Sequence, residues 1–153
     1  MDANASTTLV DMSADRNLTA NFEPAVHALM VTSQSETEGT VIGGGNFSHG
    51  ETATISANPA TGYVFSSWNG SDVADSTANS TTVTVQSSQT ITASFSLASH
   101  QVVLLSNPEG AGVLEGDGAF AHGSEANLTA TANTGYVFSH WNGEGITDEN
   151  ASA

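Results

Sequence analysis

Cysteine is absent from the 153 residues, and Arg16 is the only Lys or Arg. The first absence removes disulfides and thiol chemistry. The lack of lysine also removes the Lys–Asn isopeptide cross-link that replaces disulfides in some β-domains. Acidic residues number 16, so the formal net charge is −15. A chain without a basic patch cannot neutralise phosphates, which excludes nucleic acid as a partner and disfavours anionic membrane surfaces. The charge instead favours solubility, repulsion between copies, and sensitivity to salt and divalent cations. No apolar run approaches the roughly 18 residues of a membrane-spanning helix, so membrane insertion is not expected. The opening Met1-Asp2-Ala3-Asn4 has neither the basic nor the apolar region of a signal peptide. If the parent protein is exported, this chain is expected to be an excerpt or a processed piece of it.

Helical periodicity is missing too. No window shows a sustained i, i+3, i+4, i+7 apolar stripe, while Ser, Thr and β-branched residues are abundant. Little or no helix is expected.

What is present is a repeat. Thr61-Gly62-Tyr63-Val64-Phe65-Ser66-Ser67-Trp68-Asn69-Gly70 returns as Thr134-Gly135-Tyr136-Val137-Phe138-Ser139-His140-Trp141-Asn142-Gly143, an offset of 73 (134 − 61). Without a gap, the same offset pairs His27 with His100, Gly39 with Gly112, Phe47 with Phe120 and His49-Gly50 with His122-Gly123. It also lays Leu18-Thr19-Ala20-Asn21-Phe22 on Ile91-Thr92-Ala93-Ser94-Phe95. Self-similarity at a fixed period marks a tandem-repeat architecture. Residues 1–22 read as the C-terminal hairpin of a preceding unit, 23–95 as one complete unit, and 96–153 as a unit lacking its final hairpin.

Six strands are expected in the complete unit, over 27–32, 39–42, 52–57, 63–68, 81–85 and 90–95. Ala53, Ile55 and Ala57 alternate with Thr54 and Ser56, the period of a half-buried strand. The last two strands form a hairpin about Ser87-Ser88-Gln89, and residues 8–12 and 17–22 are expected to repeat it about Ser13-Ala14-Asp15. Residues 69–79 read as a polar loop. The class is all-β: a small sandwich, an open barrel or a β-grasp-like sheet.

Gly39-Thr40-Val41, Gly43-Gly44-Gly45, the run from His49 to Pro59, Gly62–Gly70 and Gln89–Phe95 stand in this order along the unit. Together they resemble the divergent internalin-type B-repeat of bacterial surface proteins, across essentially the whole chain. The resemblance implies a small β-rich, β-grasp-related module strung in tandem in exported, cell-surface proteins. It also implies service as a stalk, spacer or adhesive segment, with no catalytic residues.

The candidate sites are few. His27 and His49, with His100, His122 and His140, have no tight ligand spacing such as H-x₃-H. They read as one strand-end and one turn histidine per unit, and convergence on a metal is the alternative. Asp72 and Asp75, then Glu144, Asp148 and Glu149, supply oxygen ligands on loops that match no EF-hand or nonapeptide calcium repeat. Solvated acidic loops are the expectation, with Ca²⁺ as the alternative. Gly43-Gly44-Gly45 and Gly116-Asp117-Gly118 open no helix and read as turns, not phosphate cradles. Tyr63 and Trp68 read as core, with an exposed sugar-stacking platform as the alternative. Asn-x-Ser/Thr sequons stand at Asn4, Asn17, Asn46, Asn69, Asn79, Asn127 and Asn150, and are glycosylation candidates only where the source has that pathway.

No nucleophile, redox or metal-ligand motif is present, so a non-catalytic protein without a cofactor is expected. The missing hairpin of 96–153 has a copy at 2–22, so one chain is expected to complete the next, head to tail, by β-strand addition. The expected role is a fibre subunit or an adhesin stalk. The alternative is an adhesive module that binds glycans or Ca²⁺.

Overall fold

A computed structural model describes residues 7–147, and among them there is no helix. Eleven strands run in chain order. The first seven, β1 (Val26–Ser33), β2 (Gly39–Ile42), β3 (Gly45–Ser48), β4 (Glu51–Pro59), β5 (Tyr63–Asn69), β6 (Ser80–Val85) and β7 (Gln89–Leu97), make one two-layer unit. A four-stranded sheet in the order β3-β1-β7-β5 faces a three-stranded sheet in the order β2-β4-β6. The open alternatives of the sequence thus resolve to a sandwich.

Alternation builds the core. Ala53, Ile55 and Ala57 of β4 and Val83 and Val85 of β6 point inward from one sheet. Leu29 of β1, Trp68 of β5, and Ile91, Ala93 and Phe95 of β7 meet them from the other. The layers are close enough that a Cβ on Gly39 would lie 2.5 Å from the Phe95 ring, so only glycine fits there.

Strict alternation would send Phe65 and Trp68 to opposite faces. A β-bulge between Phe65 and Ser67, where β5 pairs with β7, shifts the register so that both rings face inward, 5.3 Å apart. One extra residue changes the face of everything after it.

The β6–β7 hairpin is the keystone of this unit. It supplies half of the ten buried core residues: Val83, Val85, Ile91, Ala93 and Phe95. β7 lies in the middle of its sheet, parallel to β1 (Val31 opposite Ile91) and antiparallel to β5 (Phe65 opposite Phe95). β6 closes the other sheet against β4.

The next repeat lacks this hairpin among its described residues, and its strands pair only in twos. These are β8 (Ser99–Val102) with β10 (Gly118–Ala121), and β9 (Gly112–Glu115) with β11 (Thr129–Ala132). They correspond to β1–β3 and β2–β4. The repeats adjoin with one residue between strands: Ala98 donates its N–H to Gly62 O at 2.8 Å and accepts from His122 N–H at 2.8 Å.

Three expectations are corrected. The complete unit has a seventh strand, β3, because Gly45–Ser48 pairs along β1 with Phe47 opposite His27. Residues 69–79 are not wholly loop, since Val73 bridges to Val83. Residues 8–12 and 17–22 form no strands, because no sheet edge is beside them and an isolated hairpin is marginal in water.

Candidate functional site

The two repeats offer an internal comparison, since the same residue types recur at an offset of 73 while only the first has its hairpin in place. Leu29, Ala53, Ile55, Ala57 and Trp68 are buried; their counterparts Val102, Ala126, Leu128, Ala130 and Trp141 are only half-buried. The run from Tyr136 to Asn142 forms no strand, and Val137 is 89% exposed. Phe138 and Trp141 still sit 5.6 Å apart, as Phe65 and Trp68 do, so the local aromatic pairing survives without the layer above it.

In place of that layer are two clefts on either side of Trp141. One, of about 400 Å³, is lined by Leu114, Ala130, Val137 and Phe138. The other, of about 510 Å³, is lined by Val102, Leu128 and Ile146. The linings are mixed, with Asn107, Thr131 and His140 in the first and Glu125, Asn127 and Glu144 in the second beside the apolar side chains. A strand edge left unpaired can be extended by an added strand.

Residues 8–22 are the complement in sequence. Val10, Met12, Leu18, Ala20 and Phe22 align with Val83, Val85, Ile91, Ala93 and Phe95. The latter five are buried, whereas Met12, Leu18 and Phe22 are 72%, 70% and 91% exposed. Fully burying such side chains is worth about 1.5–3 kcal/mol each.

The histidines converge in a way that sequence spacing hides. His27 Nε2 lies 3.2 Å from His49 Nδ1, and His100 Nε2 lies 3.1 Å from His122 Nδ1. His49 Nδ1 is also 3.0 Å from Gln86 O. A carbonyl only accepts, so His49 Nδ1–H is the donor, shared between Gln86 O and the His27 Nε2 lone pair. His27 stands at the start of β1 and His49 in the exposed turn after β3, the strand-end and turn positions expected of them, and the fold adds a contact between the two. The strand pairing that sets His27 opposite Phe47 carries His49 to the same place, a contact between residues 22 apart. Its one visible signal was that both histidines recur together in both repeats. His140 stands apart, with Nδ1 2.9 Å from Ser139 Oγ.

The loop at Asp75 is tied by hydrogen bonds of its own. Asp75 Oδ1 accepts from Thr77 N–H and Thr77 Oγ–H at 2.8 Å each and from Ala78 N–H at 3.3 Å. Chiefly the Thr77 backbone and then side-chain bonds hold its carboxyl below the ordinary value of 3.8. Asp72 takes φ = 59°, and its carbonyl accepts from Thr84 N–H at 3.2 Å. Glu144 is exposed in a loop; Asp148 and Glu149 lie outside the described residues. Among the described residues no three His, Asp or Glu side chains gather as a metal cluster.

Trp68 is 4% exposed and donates its ring N–H to Ala78 O at 3.0 Å, which leaves no open face for stacking a sugar. Asn17, Asn46, Asn69, Asn79 and Asn127 are exposed, and Asn4 and Asn150 lie outside the described residues.

Comparison with known proteins gives one family. The model of the divergent InlB B-repeat domain matches residues 29–99 and again 102–153, covering most of the chain in two copies. No curated protein matches, and no solved structure does.

Proposed function

The chain belongs to the divergent InlB B-repeat family, which is associated with bacterial surface proteins and is generally non-catalytic, and from that premise we propose a structural role at the cell surface. The protein is a fibre subunit or adhesin stalk whose repeats complete one another by strand addition. Residues 8–22 of one copy enter the open unit, 99–147, of a second copy and take the places of β6 and β7.

The observation that carries this reading is the contrast between repeats. With its hairpin, the unit buries Ile55 and Trp68; without it, Leu128 and Trp141 remain half-exposed beside open clefts. The occupant is specified by alignment, because Phe22 is the counterpart of Phe95, whose ring packs 6.0 Å from that of Phe65. Seated on the second copy, Phe22 meets Phe138 in the same way. The donor and acceptor surfaces differ, so the contact is heterologous, and one that does not close into a ring extends as a filament.

A synthetic peptide of residues 7–22, titrated into the chain lacking residues 2–22, tests the docking directly. Saturable binding, with amide protection appearing along 136–142, is expected. A Phe22→Asp peptide should fail to bind. Equal behaviour of the two peptides, or no protection, would overturn the reading and leave neighbouring repeats of a longer protein as the occupants of the cleft.

A further inference from the structure

We infer that each repeat carries a two-histidine site for a borderline divalent transition-metal ion, formed by His27 with His49 and again by His100 with His122. The nitrogens meet in a hydrogen bond with ring centroids 5.4 Å apart, a separation an ion can bridge once the rings tilt to converge their lone pairs. With metal–nitrogen bonds of about 2.0–2.1 Å, nitrogens 3.1–3.2 Å apart subtend an angle of roughly 100° at a shared ion. That lies between square and tetrahedral values, which suits Zn²⁺, Cu²⁺ or Ni²⁺ with imidazole ligands.

His27 already offers Nε2 as a lone pair, and His49 needs only to move its proton from Nδ1 to Nε2, a tautomer change with no net loss of a proton. At the first pair the Gln86 carbonyl, 3.0 Å from His49 Nδ1, is then placed to serve as a third donor, an oxygen. All four rings are solvent-accessible in part, so water completes the coordination.

Both rings are anchored through their backbones. His49 N–H bonds Ala25 O and His122 N–H bonds Ala98 O, each at 2.8 Å, and His27 lies within β1. The His122 ring also packs against Gly62 of the preceding repeat, where a Cβ would strike it. Recurrence of the same pair, in the same nitrogen-to-nitrogen sense, in two repeats that differ in completeness shows that the geometry does not depend on the β6–β7 hairpin. The net charge of −15 concentrates divalent cations around the chain.

Calorimetric titration of the untagged full chain with Zn²⁺ tests this. One ion per histidine pair is expected, with no comparable binding of Ca²⁺. His27→Gln with His100→Gln should weaken Zn²⁺ binding by about 100-fold, the low end of what tethering two ligands contributes. His140→Gln should change nothing. NMR on the unaltered chain supplies a readout independent of variant folding: the imidazole resonances of the four paired histidines shift on adding Zn²⁺ while those of His140 do not. Absence of binding up to millimolar Zn²⁺ would overturn the inference. So would Zn²⁺ binding that the double variant retains and Ca²⁺ matches, which would assign the ions to the acidic surface.

Discussion

Single side chains decide which residues build the sandwich and which trim its loops. Asp75 illustrates the second case: one carboxylate oxygen gathers the Thr77 and Ala78 amides and the Thr77 hydroxyl. Its carboxyl is depressed in the folded state, so its contribution to stability is fully present above the ordinary value of 3.8 and is lost as pH falls through the lowered value. Asp75→Ala should therefore lower the melting temperature at pH 7, and the gap to the unaltered chain should close in acid. Thermal melts across pH check this. The sequence shows Asp75 as an acidic loop residue but not what it does, since the bonds depend on the path of 75–78. The aromatic run with Tyr63, Phe65 and Trp68 was legible as core because large rings are few in a unit of this size, whereas the bulge that puts Phe65 and Trp68 on one face was not. A one-residue shift in pairing leaves no mark on composition. The histidine pairs were hidden for the same reason: their closeness comes from strand pairing, not from spacing along the chain.

Among the elements, the β6–β7 hairpin controls whether a repeat has a buried core. Ile55→Ala should cost about 2–5 kcal/mol, since Ile55 is fully buried between the sheets. Its counterpart substitution, Leu128→Ala, should cost under about 1 kcal/mol at concentrations where the chain is monomeric. The same substitution should cost several-fold more once the open unit is filled. Urea unfolding at low and high protein concentration measures both. The strands of the complete unit were largely legible, because alternation at 53–57, 81–85 and 90–95 matches burial. β3 was not, since Gly45-Asn46-Phe47-Ser48 carries a single large apolar residue and becomes a strand only by lying along β1. The strands expected in 8–22 failed in the other direction, having a strand-like pattern and no partner to pair with. Pattern states which face would be buried, and a neighbouring edge decides whether it is.

For the whole molecule, the issue is how repeats join and how chains meet. Gly62 sits at φ = 84° against the His122 ring, and its carbonyl accepts from Ala98 N–H. Gly62→Ala should cost about 1 kcal/mol or more. Hydrogen exchange should become faster at the Ala98 amide and stay unchanged at the Ile55 amide, which marks the joint as the place of the loss. Between chains, a charge of −15 on every copy opposes contact, and salt screens it over a Debye length of about 10 Å at 0.1 M. Assembly should therefore begin at lower protein concentration as salt is raised. The most direct test of strand exchange is light scattering with negative-stain microscopy over a concentration series, for the full chain beside one lacking residues 2–22. Mass that grows with concentration and filaments from the full chain, with a monomer from the shortened one, is the predicted result. A full chain that stays monomeric throughout, or equal growth of both, would contradict it.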